Sequence, residues 1–406
     1  MKETKQNTLR LGDLARTIKE KSKEYRNYTA ECLSKMVKIP SLSGEEEQVI
    51  LEIQKQLNDA GVSETRIDGF GNLIARVGTG PKILAIDAHI DTVDTGDESQ
   101  WEIPPFSGLI KDGFVHGRGT VDQEGGASSM VTAARILKEM NYDGEYTIYF
   151  TFTIMEEDCD GLCWEYLINK EKIVPDFAVI TEPTNVGIYR GHRGRMEIEL
   201  LFKGLSCHAS APERGKNVIY SASRVASKIE ELNKNLKTDS FLGQGTIAPT
   251  VFTTDSPSLC AVPDGGKMHL DRRLTWGENK ESAINELKKI VGEDVKIVVP
   301  DYDRVSYKGT VYKQEKYFPT WKIEENHPLL KAGIKTHEEL FGNSGRVDKW
   351  TFSTNGVSIC GRHDIPTIGY GPGNEIYAHA PNEKTPIDHL EKASAFYALL
   401  PFILEK

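Results

Sequence analysis

Four apolar runs of strand-like composition in this sequence each lead into acidic or histidine side chains. In the N-terminal third such runs alternate with segments of helical period, which predicts an α/β sheet covered by helices. Ligands of an open α/β sheet bind at the carboxyl ends of its strands, so we expect these side chains to meet at one place. The runs and the residues that follow them are 83–86 with His89 and Asp91, 146–155 with Glu156 and Glu157, 177–180 with Glu182, and 367–370 with His379.

The length and charge of the chain exclude several classes of function. A chain of 406 residues is expected to form more than one domain. Its formal net charge of -10 and its scattered Lys and Arg residues offer no basic surface for nucleic acid. No run approaches the length of a membrane span, and the opening residues 1–6 are polar, without an apolar leader segment. We therefore expect a cytoplasmic protein.

The cysteines show neither a disulfide framework nor a structural metal pattern. The six cysteines stand at positions 32, 159, 163, 207, 260 and 360. A non-secreted chain of this size is expected to keep them reduced. Cys159 and Cys163 have no second Cys or His pair nearby that would complete a four-ligand zinc site. We expect both to be packing or loop residues.

The segment after Gly191 changes in character. Its predicted order is strand, helix, strand, strand, helix, strand, which is typical of an α+β sandwich of the ferredoxin-like kind. The chain is expected to return to the first domain near Trp321, so the sandwich reads as an insertion with boundaries 1–191, 192–310 and 311–406. The individual predictions are helices at 48–60, 126–140, 217–233, 281–291 and 327–341, and strands at 196–202, 246–254, 267–274 and 295–299.

His89 and Asp91 form the strongest local signal. A metal-bound imidazole is normally oriented by an acceptor on its other ring nitrogen, and an Asp two residues after the His can fold back to serve it. His89 taken alone would more often be an ordinary buried histidine. Asp122 follows the turn Gly117–Gly119 in a loop that leads to a helix, where a lone Asp is most often an N-cap.

Glu156 and Glu157 end an apolar strand side by side. Two adjacent carboxylates there repel each other and lose hydration, so a positive charge must compensate them. Adjacent residues of an extended chain point in opposite directions, so one could bind a metal while the other carries a proton. The alternative is a solvated acidic turn, because Asp158 and Asp160 follow.

Glu182 and His379 complete the set, although each alone could be an ordinary loop or surface residue. Taken together, two histidines and several carboxylates at four strand ends suit a pair of divalent ions bridged by one carboxylate and a water. Zinc is the expected metal, and cobalt and manganese suit the same ligands. We expect a dinuclear metal site.

These motifs resemble the zinc-dependent family of acetylornithine deacetylase, succinyl-diaminopimelate desuccinylase, aminoacylase and glutamate carboxypeptidase. The resemblance extends from about Ile39 to the C-terminus and is closest to a branch of hydrolases linked to selenium metabolism, a label that implies no substrate. It is carried by His89–Val93, Trp101, Pro105–Gly108, Gly117–Gly119, Asp122, Glu156–Glu157, Glu182–Pro183, Gly371–Gly373 and His379.

The resemblance implies a role for each matching residue. Asp122 would bridge both ions, with His89 and Glu182 completing one site and Glu157 and His379 completing the other. Glu156 would be the general base, and Asp91 would orient His89.

In the inserted domain, His208 is similar to a histidine that reaches the partner subunit's site and stabilises the oxyanion. Arg273 resembles the arginine that binds a substrate carboxylate. Without the resemblance, a surface-loop histidine and a solvated strand arginine are the simpler interpretations.

Three positions depart from the family pattern. Cys260 stands where relatives often carry Asn, Asn355 stands where an Asp is common, and Glu124 takes a place often held by Lys. Asn355 is expected near the substrate, although it could be no more than a turn residue. The departures at Cys260 and Asn355 leave the substrate open and the metal ligands unaffected.

The sequence therefore predicts a dinuclear zinc amidohydrolase that acts on a small N-acyl or N-carbamoyl amino acid with a free carboxylate. The inserted lid is expected to make a homodimer. A dipeptidase or exopeptidase on the same scaffold is the nearest alternative. A non-catalytic binding protein is a remote one, because such a protein would be expected to lose its base and Glu156 is present.

Overall fold

The structure, a computed structural model, describes residues 11–405; the polar opening at residues 1–6 lies outside this range. No helix within 11–405 is long and apolar enough to cross a membrane. The helices are α1 (Leu11–Glu24), α2 (Arg26–Val37), α3 (Glu47–Asp59), α4 (Glu124–Glu139), α5 (Leu162–Asn169), α6 (Val218–Lys234), α7 (Lys280–Lys288), α8 (Pro328–Phe341), α9 (Gly356–Ile359) and α10 (Ile387–Leu404).

Twenty-two strands, several of them only two residues long, are present in the described range. In the first half of the chain they are β1 (Thr65–Ile67), β2 (Leu73–Val77), β3 (Lys82–His89), β4 (Leu109–Lys111), β5 (Phe114–His116), β6 (Tyr146–Thr153), β7 (Phe177–Ile180), β8 (Ile188–Tyr189), β9 (Gly191–His192) and β10 (Gly194–Lys203). In the second half they are β11 (Thr238–Asp239), β12 (Gly243–Gln244), β13 (Thr246–Asp255), β14 (Gly265–Leu274), β15 (Val295–Val298), β16 (Asp301–Tyr302), β17 (Gln314–Glu315), β18 (Tyr317–Phe318), β19 (Trp321–Lys322), β20 (Val347–Asp348), β21 (Thr367–Gly369) and β22 (Lys384–Pro386).

The larger sheet has eight strands in the order β1-β2-β6-β3-β7-β21-β8-β20. Its four central strands, β6, β3, β7 and β21, run parallel to one another. These strands are rich in apolar residues and mostly buried, as expected for strands covered by helices on both faces. Their carboxyl ends lie at the same edge, and the predicted mixed sheet is confirmed.

The helices that cover this sheet include one that periodicity could not reveal. Helix α10 is apolar on nearly all sides and packs against α1, α2, α4 and α8. A helix surrounded by other helices has no polar face, so it gives no amphipathic signal. The predicted helices at 48–60, 126–140 and 327–341 correspond to α3, α4 and α8.

The inserted segment forms its own antiparallel sheet, in the order β13-β14-β10-β15, with β18 also pairing with β10. Helix α6 packs on this sheet and α7 contacts β15, which gives the predicted ferredoxin-like order and a separate hydrophobic core. Helix α7 ends at Lys288, three residues before the predicted end. It closes there because the N–H groups of Ile290 and Val291 both bond to the carbonyl of Leu287.

The chain passes between the two sheets at two neighbouring segments. β9 and β19 pair with each other at this crossing. The second sheet begins at Gly194, and its last strand ends at Phe318. The boundaries at 191/192 and 310/311 stay predictions, and the pairing of β18 with β10 favours a second boundary a few residues later than 310.

Candidate active site

The carboxyl edge of the parallel strands brings the predicted ligands together. His89 is the last residue of β3, Glu157 follows β6 by four residues, and Glu182 follows β7 by two. Asp122 precedes α4, whose first turn points at the same edge, and His379 lies in the loop after β21. The side chains form two groups of three that share Asp122, and within each group one ligand atom per residue lies within 4.8 Å of the others.

The first group consists of His89, Asp122 and Glu182, all buried. The Nε2 atom of His89 lies 3.0 Å from Oδ1 of Asp122 and 3.4 Å from Oε1 of Glu182. The second Glu182 oxygen, Oε2, is buried without a hydrogen-bond partner. Three ligand atoms of mixed nitrogen and oxygen type therefore converge on one point.

The second group consists of Asp122, Glu157 and His379. The Nε2 atom of His379 lies 3.3 Å from Oδ2 of Asp122 and 3.0 Å from Oε2 of Glu157. Asp122 thus directs one oxygen to each histidine, as a carboxylate that bridges two ions must. Of these residues, His379 is the most exposed, with 53% of its side chain accessible.

The electrostatics of this edge fit a pair of cations. Burial raises the pKa of Glu157 to about 7 and that of Glu182 to about 8, because both carboxylates lose hydration beside Asp122. Burial also raises the pKa of Glu156 well above its ordinary value. Hydrogen bonds to Asp122 and Glu157 raise the pKa of His379 to about 10. Carboxylates packed this densely need positive charge, and the donor set of two histidines and three carboxylates suits two divalent ions.

Glu156 lies beside the two groups without joining either. Its Oε2 atom is 3.7 Å from Nε2 of His89, and its Oε1 atom is buried without a hydrogen-bond partner. Adjacent Glu157 points to His379 instead. The two side chains therefore point in different directions, as expected for adjacent residues of an extended chain. Glu157 faces the second ligand group, and Glu156 keeps an unpaired carboxylate oxygen in the cleft.

Asp91 contacts His89 in a different way from the expected one. The Nδ1 atom of His89 is 2.9 Å from the main-chain oxygen of Asp91 and 3.5 Å from its carboxylate. The carboxylate instead accepts hydrogen bonds from the N–H groups of Glu156 and Glu157 and from the hydroxyl of Ser43, at 3.1, 3.0 and 2.6 Å. Asp91 therefore holds the turn that carries the paired glutamates.

Two buried glutamates escaped the sequence analysis. Glu46 accepts the N–H of Met155, and Glu383 accepts the N–H groups of Val121 and Asp122 as well as a 2.7 Å bond from Arg118. Both fix main chain next to predicted site residues. The only available signal was the position of Glu383 four residues after His379, because main-chain acceptors leave no spacing pattern.

A cleft of about 240 Å³ opens between the ligand groups and the inserted sheet. Arg273 of β14 lines it and forms a two-point contact with Asp271, at 2.8 and 3.0 Å. Arg195 of β10, which sequence reasoning missed, also lines it and bonds to Asp160 at 3.0 Å. The lining residues are Asp122, Glu156, Glu157, Asp160, Glu182, Arg195, Arg273, Phe352, Ser353, Glu375, Ala378 and His379.

Asn355 does not line this cleft, and its role as a substrate-binding residue stays a prediction that its surroundings do not favour. Its side chain is buried, donates to Asp87 at 2.8 Å, and accepts from the N–H of Gly161 at 3.0 Å and from the thiol of Cys163 at 3.2 Å. The amide serves a network beneath the strand ends because the turn that carries it faces the sheet. It therefore has no free polar atom for a substrate.

Glu124 and Cys260, which depart from the family pattern, and the predicted residue His208 all lie within the described range. Glu124 is buried, and neither of its carboxylate oxygens has a hydrogen-bond partner. Cys260 is exposed, and its carbonyl accepts the N–H of Ala209. His208 is exposed and does not line the cleft of its own chain. All six cysteines are free.

Comparison with known proteins identifies the family to which this architecture corresponds. The model of peptidase family M20/M25/M40 matches residues 85–401. The chain belongs to this family. The predicted class, a metal-dependent enzyme that cleaves amide or peptide bonds, is confirmed by this membership and by the family's relatives.

Several proteins resemble this M20 chain along most of its length. It is 48% identical to the uncharacterized protein YgeY of Escherichia coli (strain K12), over 95% of this chain and 96% of that protein. It is 32% identical to a probable succinyl-diaminopimelate desuccinylase of Staphylococcus epidermidis, over 86% of this chain and 91% of that protein. The crystal structure of aminopeptidase PepT from Bacillus cereus matches with a TM-score of 0.72 at 22% identity, covering 94% of this chain and 99% of that one, which supports the fold.

Proposed function

We propose that this M20 protein hydrolyses the amide bond of a small N-acyl or N-carbamoyl amino acid that carries a free carboxylate. The observation that carries the proposal is the presence of Glu156 and Arg273 in the same cleft, one on each side. Glu156 offers an unpaired carboxylate oxygen beside the ligand groups, and Arg273 offers a guanidinium from the inserted sheet. A cleft of about 240 Å³ suits a small substrate rather than a long peptide.

Two divalent ions, with zinc expected, would be held by His89, Asp122 and Glu182 and by Asp122, Glu157 and His379. When bound, such ions supply Lewis acidity and lower the pKa of a water. Among the chain's own residues, Glu156 takes the proton from the attacking water through Oε1 and returns it to the leaving nitrogen. Its two adjacent main-chain bonds to Asp91 keep that oxygen in place.

Arg273 supplies the carboxylate recognition. A guanidinium binds a carboxylate with two parallel hydrogen bonds, which fixes the orientation of the substrate as well as its charge. The carboxylate of Asp271 accepts two hydrogen bonds from the guanidinium of Arg273. These bonds hold the arginine in one rotamer before the substrate arrives. Arg195 is more deeply buried and bonded to Asp160, and we assign it to the shape of the cleft.

A dipeptidase is the second candidate, and one observation favours it. Glu375 lines the cleft, and its Oε2 atom is buried without a partner, so it could receive the ammonium group of a dipeptide. Substitution Glu375→Gln would then lower kcat/KM for dipeptides but leave hydrolysis of N-acyl amino acids nearly unchanged. We also propose that the protein belongs to the branch linked to selenium metabolism and that it is located in the cytoplasm.

A homodimer through the inserted domain also belongs to the proposal. Strand β13 is the edge of the second sheet, and nearly all of its residues are exposed. Exposed apolar side chains lie along it and on the adjoining helix α6, including Val251, Phe252, Ile219 and Tyr220. An unpaired edge with an apolar flank is suited to pairing with a second copy about a twofold axis.

The direct test is a panel of N-acyl amino acids, N-carbamoyl amino acids and dipeptides offered to the metal-loaded enzyme. We expect turnover of the first two classes, loss of turnover on chelation, and recovery with added zinc or cobalt. Arg273→Met should raise KM for carboxylate-bearing substrates but leave amide analogues of those carboxylates unaffected. Full activity in a verified metal-free sample, or no turnover of the acyl and carbamoyl classes, would contradict the proposal.

A further inference from the structure

His192 is wholly buried at the crossing between the two sheets. It belongs to β9 and lies opposite Trp321 of β19 in the antiparallel pair. These two short strands are the segments by which residues 194–318 join the rest of the chain. Their mutual position helps to set how the inserted domain sits over the cleft, together with the bonds of Tyr302, Tyr307 and Thr310 to the larger domain.

The hydrogen bonds of His192 define its protonation state. Its Nδ1 atom donates to the main-chain oxygen of Arg193 at 2.8 Å. Its Nε2 atom faces the indole N–H of Trp321 at 2.7 Å and the N–H and hydroxyl of Thr354 at 3.1 and 3.0 Å. An imidazole nitrogen surrounded by donors must act as an acceptor, so the ring is neutral with its proton on Nδ1.

Thr354 connects this imidazole to the cleft. The preceding residue, Ser353, lines the cleft and hydrogen-bonds to Asp160, which in turn bonds to Arg195 of the inserted sheet. The following residue, Asn355, bonds to Asp87 beneath the ligand edge. The Nε2 atom of His192 thus links β9 and β19 to the loop at Thr354, and the neighbouring Ser353 lines the cleft.

We propose that His192 is a positioning residue: its Nε2 atom ties the two crossing strands to the loop at Thr354 and so sets the distance across the cleft between Glu156 and Arg273. The reaction needs these two side chains at opposite ends of one small substrate. A shift of the inserted domain moves Arg273 but leaves Glu156 in place. This inference rests on the proposed function only for the roles of those two residues.

Protonation of the Nε2 atom of His192 would disrupt these hydrogen bonds. A proton on Nε2 would face two N–H donors, those of the Trp321 indole and the Thr354 main chain. Burial lowers the pKa of His192 to about 4; its bond to Arg193 and the negative Asp160 oppose that fall, and the positive Arg273 adds to it. The ring is therefore neutral throughout the neutral range. Gln is the conservative replacement, because its carbonyl can accept the same bonds and does not titrate. Phe fills a similar volume without an acceptor.

The test compares His192→Gln and His192→Phe with the wild-type, metal-loaded enzyme. We expect the Phe variant to lose kcat/KM by on the order of 100-fold, through both a raised KM and a lowered kcat, because a displaced Arg273 would bind the substrate less tightly and out of line with Glu156. The Gln variant should keep near-normal values. His337→Phe, at a buried histidine of α8 far along the chain, is the matched control and should leave both constants unchanged.

Small-angle scattering of the same proteins without substrate gives a readout that does not depend on the reaction. The Phe variant should have a larger radius of gyration, and the Gln variant should match the wild type. Thr354→Val, which removes one of the donors at Nε2, replaces the Phe variant if that protein is insoluble, and should also raise KM. A Phe variant with unchanged KM and unchanged scattering, or a Gln variant as impaired as Phe, would overturn the assignment.

If no substrate in the panel is turned over, the scattering comparison still decides whether His192 holds the domains. Failure of the proposed function would thus be seen as absent turnover with the expected scattering difference. Failure of this inference would be seen as normal turnover with identical scattering in all variants.

Discussion

The carboxylate of Asp91 accepts the main-chain N–H of Glu156 at 3.1 Å. The same carboxylate accepts the N–H of Glu157 at 3.0 Å, so one buried side chain fixes both paired glutamates. The Nδ1 atom of His89 meets the carbonyl of Asp91 rather than its carboxylate. Asp91 therefore organises two strand ends at once, one through its backbone and the other through its side chain.

Substitution Asp91→Asn should lower kcat/KM by about 10- to 100-fold, the usual range for residues that orient metal ligands. The two N–H groups bond to different oxygens of Asp91, so the amide nitrogen of Asn would face the N–H of either Glu156 or Glu157, and one acceptor would be lost. Steady-state kinetics and metal analysis measure the effect. Ser43→Ala removes a single donor to Asp91 and should cost much less; equal losses in both variants would argue against this division of roles.

Glu156→Ala should keep its metal and lose turnover, whereas Glu157→Ala should lose metal. Glu157 contacts His379 in the second ligand group, and Glu156 contacts neither group closely. Metal analysis of the purified variants, combined with kinetics at saturating zinc, separates the two effects. Metal loss in Glu156→Ala with retention in Glu157→Ala would reverse the assigned roles.

Inactive His208→Ala protein mixed with inactive Glu156→Ala protein should regain activity when subunits exchange. His208 is exposed and does not line the cleft of its own chain, so we expect any part it takes in the reaction to be at a second subunit's site. The hybrid dimer holds one site with an intact Glu156 from one chain and an intact His208 from the other. Absence of rescue in proven heterodimers would exclude a role across the interface.

Stability should depend on pH through Glu139 at the junction of α1 and α4. Burial alone would raise the pKa of this carboxylate, but bonds from Lys21 and Tyr25 at 2.7 and 2.6 Å, with Arg135 nearby, lower it to about 2. A lowered folded pKa stabilises the fold above the ordinary value of 4.5, and this contribution is lost as the pH falls toward 2.

Glu139→Gln should therefore lower the free energy of unfolding by about 1 kcal/mol at neutral pH, since the site is partly solvated. The difference from wild type should shrink steadily as the pH falls below the ordinary carboxylate range. Denaturant unfolding at several pH values measures it. Glu145→Gln, at an exposed ion pair with Lys82, is the control and should cause little change at any pH.

The ligand residues could be predicted because each apolar, strand-like run is followed by residues of metal-ligand type, and the ends of such runs meet at the carboxyl edge of a parallel sheet. His89 and Glu182 each end or follow an apolar strand, and no tertiary information was needed to place them together. The contacts of Asn355 could not be predicted, because the direction of a turn side chain depends on what packs beneath it, here Asp87.

Glu46 and Glu383 could not be predicted for a related reason. Each stabilises the site by accepting main-chain N–H groups, and a main-chain donor has no residue identity to match. Helix α10 escaped detection because its burial on all sides removes the amphipathic pattern. The sequence shows the residue types and their periodicity. Bonds from side chains to the main chain around the site, and helices buried on all sides, depend on the packed fold.

The pairing of β9 with β19 places the entry and exit of the inserted segment on neighbouring strands, about 5 Å apart. Segments whose ends lie this close can be exchanged without moving the chain that carries them. An inserted segment from another M20 protein could therefore be joined at this crossing if it keeps the bonds that Tyr302, Tyr307 and Thr310 make to the larger domain. The part that carries the candidate ligands and the part proposed to shape substrate choice are thus open to separate engineering and separate evolution.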